Sequence, residues 1–333
     1  MKRGPFLSIT RLTLVEIPRQ PALLLLSSTL LLLMASLPFL ITHSLGETGK
    51  LQRDSNLALL FLGSLLLAVP AACGALGSEL RKGRIGALLS KPLSRSSFLM
   101  AKFLGVAGVL LAFQIMAIQV TIMSDRASAI EFGVGWKFIV PIFVAALLAY
   151  VVAALLNFAT RRPFVSSAFW LLLLFMSCAF IYTLFLEGGG DGMIDHGGHS
   201  HVDPAGVQAI PVRWDLLIAG ILLSLAALML QALALLCALK LPTLPALSLC
   251  SGFFLLGLMS DYLLAERAEQ MLWAKVLHGI LPNWQHFWMA DALTGGGSIP
   301  LSYLLPATFY ALCWAGGILL LAMAFFERME LQA

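Results

Sequence analysis

Charge is what this sequence has least of. Only 11% of its 333 residues are Asp, Glu, Lys or Arg while 60% are hydrophobic, whereas an ordinary soluble domain carries about 25% charged residues. So few charges cannot coat a water-soluble surface, and the mean hydropathy of +0.92 agrees. No G-x-x-x-x-G-K-[ST] phosphate loop occurs, so the chain has no Walker site for ATP. Neither H-E-x-x-H nor a nucleophile triad is present, and no carboxylates are paired inside an apolar block, which leaves an intramembrane enzyme without its machinery. The middles of the apolar blocks also lack ionisable side chains, the groups that a proton- or sodium-coupled carrier needs to bind its driving ion. The 5 cysteines, Cys73, Cys178, Cys237, Cys250 and Cys313, have no metal-ligand spacing. They read as small, soft packing residues inside a bundle and say nothing about redox compartment.

What the sequence has instead is long uncharged runs. They extend over Pro21 to Gly46, Ser55 to Ser78, Phe103 to Ser124, Phe138 to Thr160, Pro163 to Leu186, Leu216 to Leu239, Leu241 to Ser260 and Ala292 to Phe326. A run of 18 or more apolar residues is about what crosses a hydrocarbon core of roughly 30 Å as a helix. Barrel strands would alternate in polarity, so helix is the state that closes the backbone hydrogen bonds in lipid. The expected fold is therefore an all-α polytopic bundle of about eight spans (six to eight), near 21–42, 56–77, 103–123, 138–159, 164–186, 215–239, 243–262 and 300–326. Four polar residues placed within spans, Gln114, Gln119, Asn157 and Gln231, are expected to hydrogen-bond between helices. Asp215 and Asp261 fall near span ends.

Lys and Arg set the orientation. Eight spans put both termini on one side, and that side then holds all of the 21 basic residues except Lys50, Arg53, Arg126, Lys137, Arg213, Arg267 and Lys275. The positive-inside rule makes it the cytoplasm. The net charge of +4 thus describes orientation in a plasma or bacterial inner membrane and gives no reason to expect nucleic acid.

Residues 1–20 carry basic residues but continue amphipathically for too long to resemble the short lead of a cleaved signal. They suit an interfacial helix, with Leu7, Leu14 and Val15 toward the acyl boundary and Arg11 and Arg19 at the headgroups, broken by Pro18 and Pro21. A disordered basic tail is the plainer alternative.

Between the second and third spans, residues 79–98 are dense in cations yet threaded by Ile85, Leu88 and Leu89. These lie at i, i+3 and i+4, on one face of a short helix opposite Arg81 and Arg84. Pro92 ends that helix, and Ser94 or Ser96 can cap the next. Such a segment either binds anionic lipid or docks on a partner.

The same string resembles the loop of ABC-2 type transporter permeases, in which a glutamate after the second span precedes a Gly, a Leu-Leu pair, a Ser-Lys-Pro-Leu-Ser-Arg run and a Lys-Phe entering the third. Glu79, Gly83, Leu88, Leu89, Ser90, Lys91, Pro92, Ser94, Arg95, Lys102 and Phe103 occupy those positions. The ITRLTLVEIPRQ stretch is similar to the family's amphipathic elbow, and LPNWQHFWMADAL and the closing FFERMEL extend the likeness. The resemblance implies a permease domain over 21–333 and a coupling helix seated in a separate ATPase subunit. Glu79, Leu80, Gly83, Arg84, Ile85, Leu88, Leu89, Pro92 and Arg95 would make that contact. It also implies ATP and magnesium on the partner rather than on this chain, and a second permease copy or homologous permease beside it. Many family members have six spans rather than eight, and 187–260 has no counterpart.

Two outer segments remain. Residues 187–213 gather His196, His199, His201 and Asp195 among glycines; neutral imidazoles suit zinc, copper or nickel, while a solvated Gly-rich loop is the alternative. Gly188-Gly189-Gly190-Asp191 matches the G-x-G-D of aspartyl intramembrane proteases in letters only, with no second aspartate in a span to share a proton. Residues 265–297 mix Met271, Leu272, Trp273, Leu277 and Ile280 with Glu266, Lys275 and His278, followed by Trp284, Phe287 and Trp288. Aromatics beside charges favour the headgroup level, so one or two interfacial or re-entrant helices are expected there. Two classes stay open: an exporter permease driven from outside, and a non-transport membrane scaffold or assembly factor, metal-related through the His-rich loop.

Overall fold

The computed structural model describes residues 5–41, 48–81, 94–129, 134–186, 212–296 and 299–329, with the backbone alone at 48, 78–81, 268–269 and 294–296. Every regular element among them is helical. The long helices are α2 (Pro21–Leu40), α3 (Thr48–Arg81), α4 (Arg95–Ser128), α5 (Trp136–Thr160), α6 (Phe164–Phe185), α7 (Asp215–Ala238) and α11 (Leu301–Arg328). A short α1 (Pro5–Glu16) precedes them, and α8 (Thr243–Leu258), α9 (Ser260–Gln270) and α10 (Leu272–Ile280) lie before α11. Among the described residues seven helices are long and apolar enough to cross a membrane, and α8 with α9 forms a further candidate span bent by 58°. The chain is an integral, multi-pass membrane protein.

The break in that further span was expected as a continuous helix over 243–262. Met259 stands at φ −95° and ψ 1°, in the bridge region outside the helical well, so the axis bends there although its N–H still donates to the Leu255 carbonyl at 3.1 Å. At 16 residues, α8 rises only about 24 Å, short of a roughly 30 Å core. Conversely, α3 and α4 run 34 residues each, or about 51 Å, and start ahead of their apolar blocks because a helix does not end where the lipid does.

The centre is built from α3, α4 and α7. α7 is buried on nearly all sides and packs on α3, α4, α8 and α11. Its alanines at 219, 226, 227, 232, 234 and 238 are all buried, and small residues let helices in lipid approach closely. α5 and α6 form a peripheral hairpin against α4, turning through Arg161 in the left-handed region (φ 54°). That conformation costs roughly 1–2 kcal/mol outside glycine, and Asn157 steadies the turn by donating to the Arg162 carbonyl at 2.6 Å. Asn157 is thus a helix-end residue and not the interhelical partner expected of it, because α5 ends only a turn later.

α1 lies along one end of α4. Thr13 meets Gly105 so closely that a Cβ there would stand 3.0 Å from the Thr10 carbonyl oxygen, and Leu14 covers Gly108. Leu7, Leu12 and Val15 keep an exposed apolar face, whereas Leu14, expected to face lipid, is taken up by the contact with α4. The cysteines also divide: Cys73, Cys237 and Cys250 are buried, but Cys178 and Cys313 lie on the outside of the bundle rather than inside it.

Candidate functional site

Two ends and a polar thread between them carry the chemistry of this bundle. α4 reaches from Arg95 to Ser128, so the ends are named here for Arg95 and Asp125.

At the Arg95 end, Ser94 caps α4 by accepting from the Ser97 backbone N–H at 3.2 Å. One nitrogen of Arg95, Nη1, then donates to the carbonyls of Phe326, Glu327 and Met329 at 3.3, 3.0 and 3.0 Å. Carbonyls in the last turn of a helix lack internal partners and carry partial negative charge, which an arginine satisfies. Ser96 adds a 2.6 Å bond to the Glu327 carboxylate. Arg95 therefore faces the last helix of its own chain, a role that its position in a basic segment did not reveal. Glu79 and Leu80 sit in the final turn of α3. Gly83, Arg84, Ile85, Leu88, Leu89 and Pro92 lie outside the described residues, as do His196, His199, His201 and Asp195. Among the described residues no three His, Cys, Asp or Glu side chains gather in a way that would hold a metal.

Amides stitch the interior. Gln114 donates to Ser64 of α3, Gln119 to Ser177 of α6 at 3.1 Å, and Gln231 to the Phe103 carbonyl of α4 at 2.7 Å. All three are the interhelical bonds expected of neutral amides in spans. Lys102 is buried deeper than its position suggested, 1% exposed, with its ammonium 5.7 Å from the centre of the Phe98 ring.

At the Asp125 end, three consecutive residues of α4 hold the surrounding helices. Gln52 of α3 donates to the Ser124 carbonyl at 2.7 Å, and the Ser124 hydroxyl donates to the Met34 carbonyl of α2 at 3.1 Å. Arg53 pairs with Asp125 at 3.3 Å, with both side chains mostly buried. Arg126 donates to the carbonyls of Thr183 and Leu186 at the end of α6. Its guanidinium lies 4.2 Å above the Phe138 ring of α5. In the sequence these are outer-loop charges; the fold turns them inward as the joint of five helices.

Beyond the Met259 break, α9 and α10 pack together as a hairpin. Asp261 at its start receives His278 Nε2 at 2.9 Å on one carboxylate oxygen and Asn283 Nδ2 at 2.8 Å on the other. The chain next runs down α11. Tyr303 donates to the His286 carbonyl at 2.9 Å, Tyr310 accepts from the Asn283 N–H at 3.2 Å, and Trp314 donates to the Ile280 carbonyl at 3.1 Å. Trp314 lies midway along α11, so Ile280 reaches the middle level of the bundle. Trp284, expected at the headgroups, is fully buried among Phe61, Phe254 and Trp314 with ring centres 5.7, 6.2 and 6.4 Å away. Meanwhile Leu272, Trp273, Val276 and Ile280 leave an exposed apolar face on α10.

The geometry thus supplies a clamp at one end, a helix break with a plugged hairpin at the other, and a continuous last helix touching both. No family model matches the sequence, and no curated protein matches it.

Proposed function

We propose that this chain is the membrane-spanning permease subunit of an ATP-binding-cassette transporter of the ABC-2 type, acting as an exporter. In this reading the Arg95 end is cytoplasmic, in a plasma or bacterial inner membrane, and residues 79–98 dock on a separate ATPase subunit. ATP and magnesium bind there, the present chain is non-catalytic, and a second permease copy or a homologous permease completes the pathway. Substrate crosses as the docked subunits close and open.

One observation supports the reading most. The two longest helices, α3 and α4, hold the basic 82–93 segment between them, and the first turn of α4 is clamped to the end of α11 through Arg95 and Ser96. A push on that segment is thereby delivered to two long helices and to the last one. α11 in turn holds the end of the α9–α10 hairpin through Trp314 and the segment after it through Tyr303 and Tyr310, which suits a re-entrant gate on the far side. Coupled motion of packed rigid helices is how such distant sites communicate.

The test is purification with co-expressed partners from the source membrane, followed by ATPase measurement. The permease reading expects a stoichiometric subunit with a Walker A loop and vanadate-sensitive hydrolysis. A scaffold or assembly factor would purify with other membrane proteins and without such a subunit.

A further inference from the structure

A groove of about 480 Å³ runs between α7, α8 and α11. Its walls are almost wholly hydrocarbon, among them Leu236, Leu249, Phe253, Ile318 and Leu321. Ile280 and Trp314 close its upper end at the middle level of the bundle. At the other end stands one cation, the exposed Lys240, its ammonium 5.5 Å from the centre of the Phe325 ring. Trp314, Ile318, Leu321, Phe325 and Arg328 follow at helical spacing along α11, so Arg328 continues the same stripe beyond Lys240.

We propose that this groove is a binding site for one anionic glycerophospholipid of the leaflet on the Arg95 side, with an acyl chain between α8 and α11 and the phosphate on Lys240, flanked by Arg328. Length supports it: from Trp314 to Phe325 a helix rises roughly 16 Å, about half of a 30 Å core and so one leaflet. Charge supports it too. The lining contains Lys240 and no acid, and basic rims of pockets between spans on one membrane face attract anionic headgroups. A long lysine reaches the headgroup level from an apolar wall, and here the Lys240 ammonium lies beside the Phe325 ring. A two-fold contact between copies through the same groove would face this cationic rim with itself. Because Ile280 forms the top of the groove, the bound chain abuts the end of the α9–α10 hairpin. The site stands whether or not the chain is a transporter.

The experiment uses the intact protein in vesicles of defined composition and reads quenching of tryptophan fluorescence by brominated acyl chains. The Trp314 contribution is taken as the difference between the wild type and Trp314→Phe. The site predicts that brominated phosphatidylglycerol quenches this contribution at several-fold lower mole fraction than brominated phosphatidylcholine, and that Lys240→Gln brings the two lipids together. As a second measurement, native mass spectrometry should find phosphatidylglycerol retained on the wild type and depleted on Lys240→Gln, which alters only an exposed side chain. Equal quenching by both lipids in the wild type, or selectivity that survives Lys240→Gln, overturns the site. Absence of quenching by either lipid also overturns it, by showing the groove covered by protein, such as a second copy.

Discussion

The indole N–H of Trp314 donates to the Ile280 carbonyl at 3.1 Å, joining the middle of the last long helix to the end of a hairpin that begins beyond the Met259 break. This bond ties the end of the hairpin to α11, and those of Tyr303 and Tyr310 tie the segment that follows it, through His286 and Asn283. At its other end α11 is held by Arg95. The same helix therefore contacts both the segment proposed to receive the ATPase and the segment proposed to gate the far side.

Gly257 tests the seating of the hairpin. A Cβ at this position would stand 2.5 Å from the Pro282 carbonyl oxygen and collide with the Trp284 ring, so Gly257→Val should lift Trp284 from its pocket. Overpacking of this kind costs about 1–3 kcal/mol. Thermal unfolding in detergent should show the loss and Trp fluorescence should shift to the red. An unchanged emission spectrum would mean that Trp284 is not packed as described.

The Arg53–Asp125 pair lends itself to a double-mutant cycle. Removing one partner of a buried pair strands the other charge and typically costs about 3–5 kcal/mol; solvent reaching the pair, whose side chains are 15% and 8% exposed, places the expectation toward the lower figure. Asp125→Asn should therefore destabilise clearly, while Arg53→Gln with Asp125→Asn should recover much of the loss. Additive single effects would show that the two charges do not interact.

Arg95 is expected to act as a cap for α11. Arg95→Ala removes three contacts with carbonyls, and Arg95→Lys should not fully restore them, because the lysine side chain is one atom shorter and its ammonium stops short of the Nη1 position. A cysteine at Met329 should become more reactive to a soluble maleimide in both variants. Unchanged labelling would place the end of α11 beyond the influence of Arg95.

Much of the fold can be read from composition, because in lipid an uncharged run has only one way to satisfy its backbone. The spans of α2, α5, α6, α7 and α11 follow from that alone, as do the bonds of Gln114, Gln119 and Gln231. What the sequence hides is set by partners distant along the chain. Nothing local marks Met259 as a break; Gly257 beside it makes room for Trp284, which arrives from beyond the hairpin. Asp261 meets His278 and Asn283 across two helices, and Arg126 looks like a loop cation until α5 and α6 fold over it. The contacts of Arg95 and Asn157 are hidden for one reason: charge and polarity show that a residue needs a partner, not whether the partner is a helix end of the same chain.

Topology makes a separate prediction. If both termini are cytoplasmic, as proposed, a cysteine at His199 should react with an impermeant maleimide added from outside, and one at Arg162 only after the membrane is opened. The reverse pattern would invert the orientation read from the basic residues.

The central claim is that residues 79–98 receive an ATPase subunit, and Leu88→Asp tests it most directly. Association energy concentrates in a few desolvated apolar anchors, and truncating one typically costs more than about 1 kcal/mol; a charge placed there should cost more. The measurement is the amount of ATPase that purifies with the permease, compared between wild type, Leu88→Asp and an Arg162→Asp control at equal membrane insertion. The account predicts loss of the ATPase from Leu88→Asp alone. Copurification of Leu88→Asp with its ATPase at the wild-type ratio, with hydrolysis and transport intact, would contradict it.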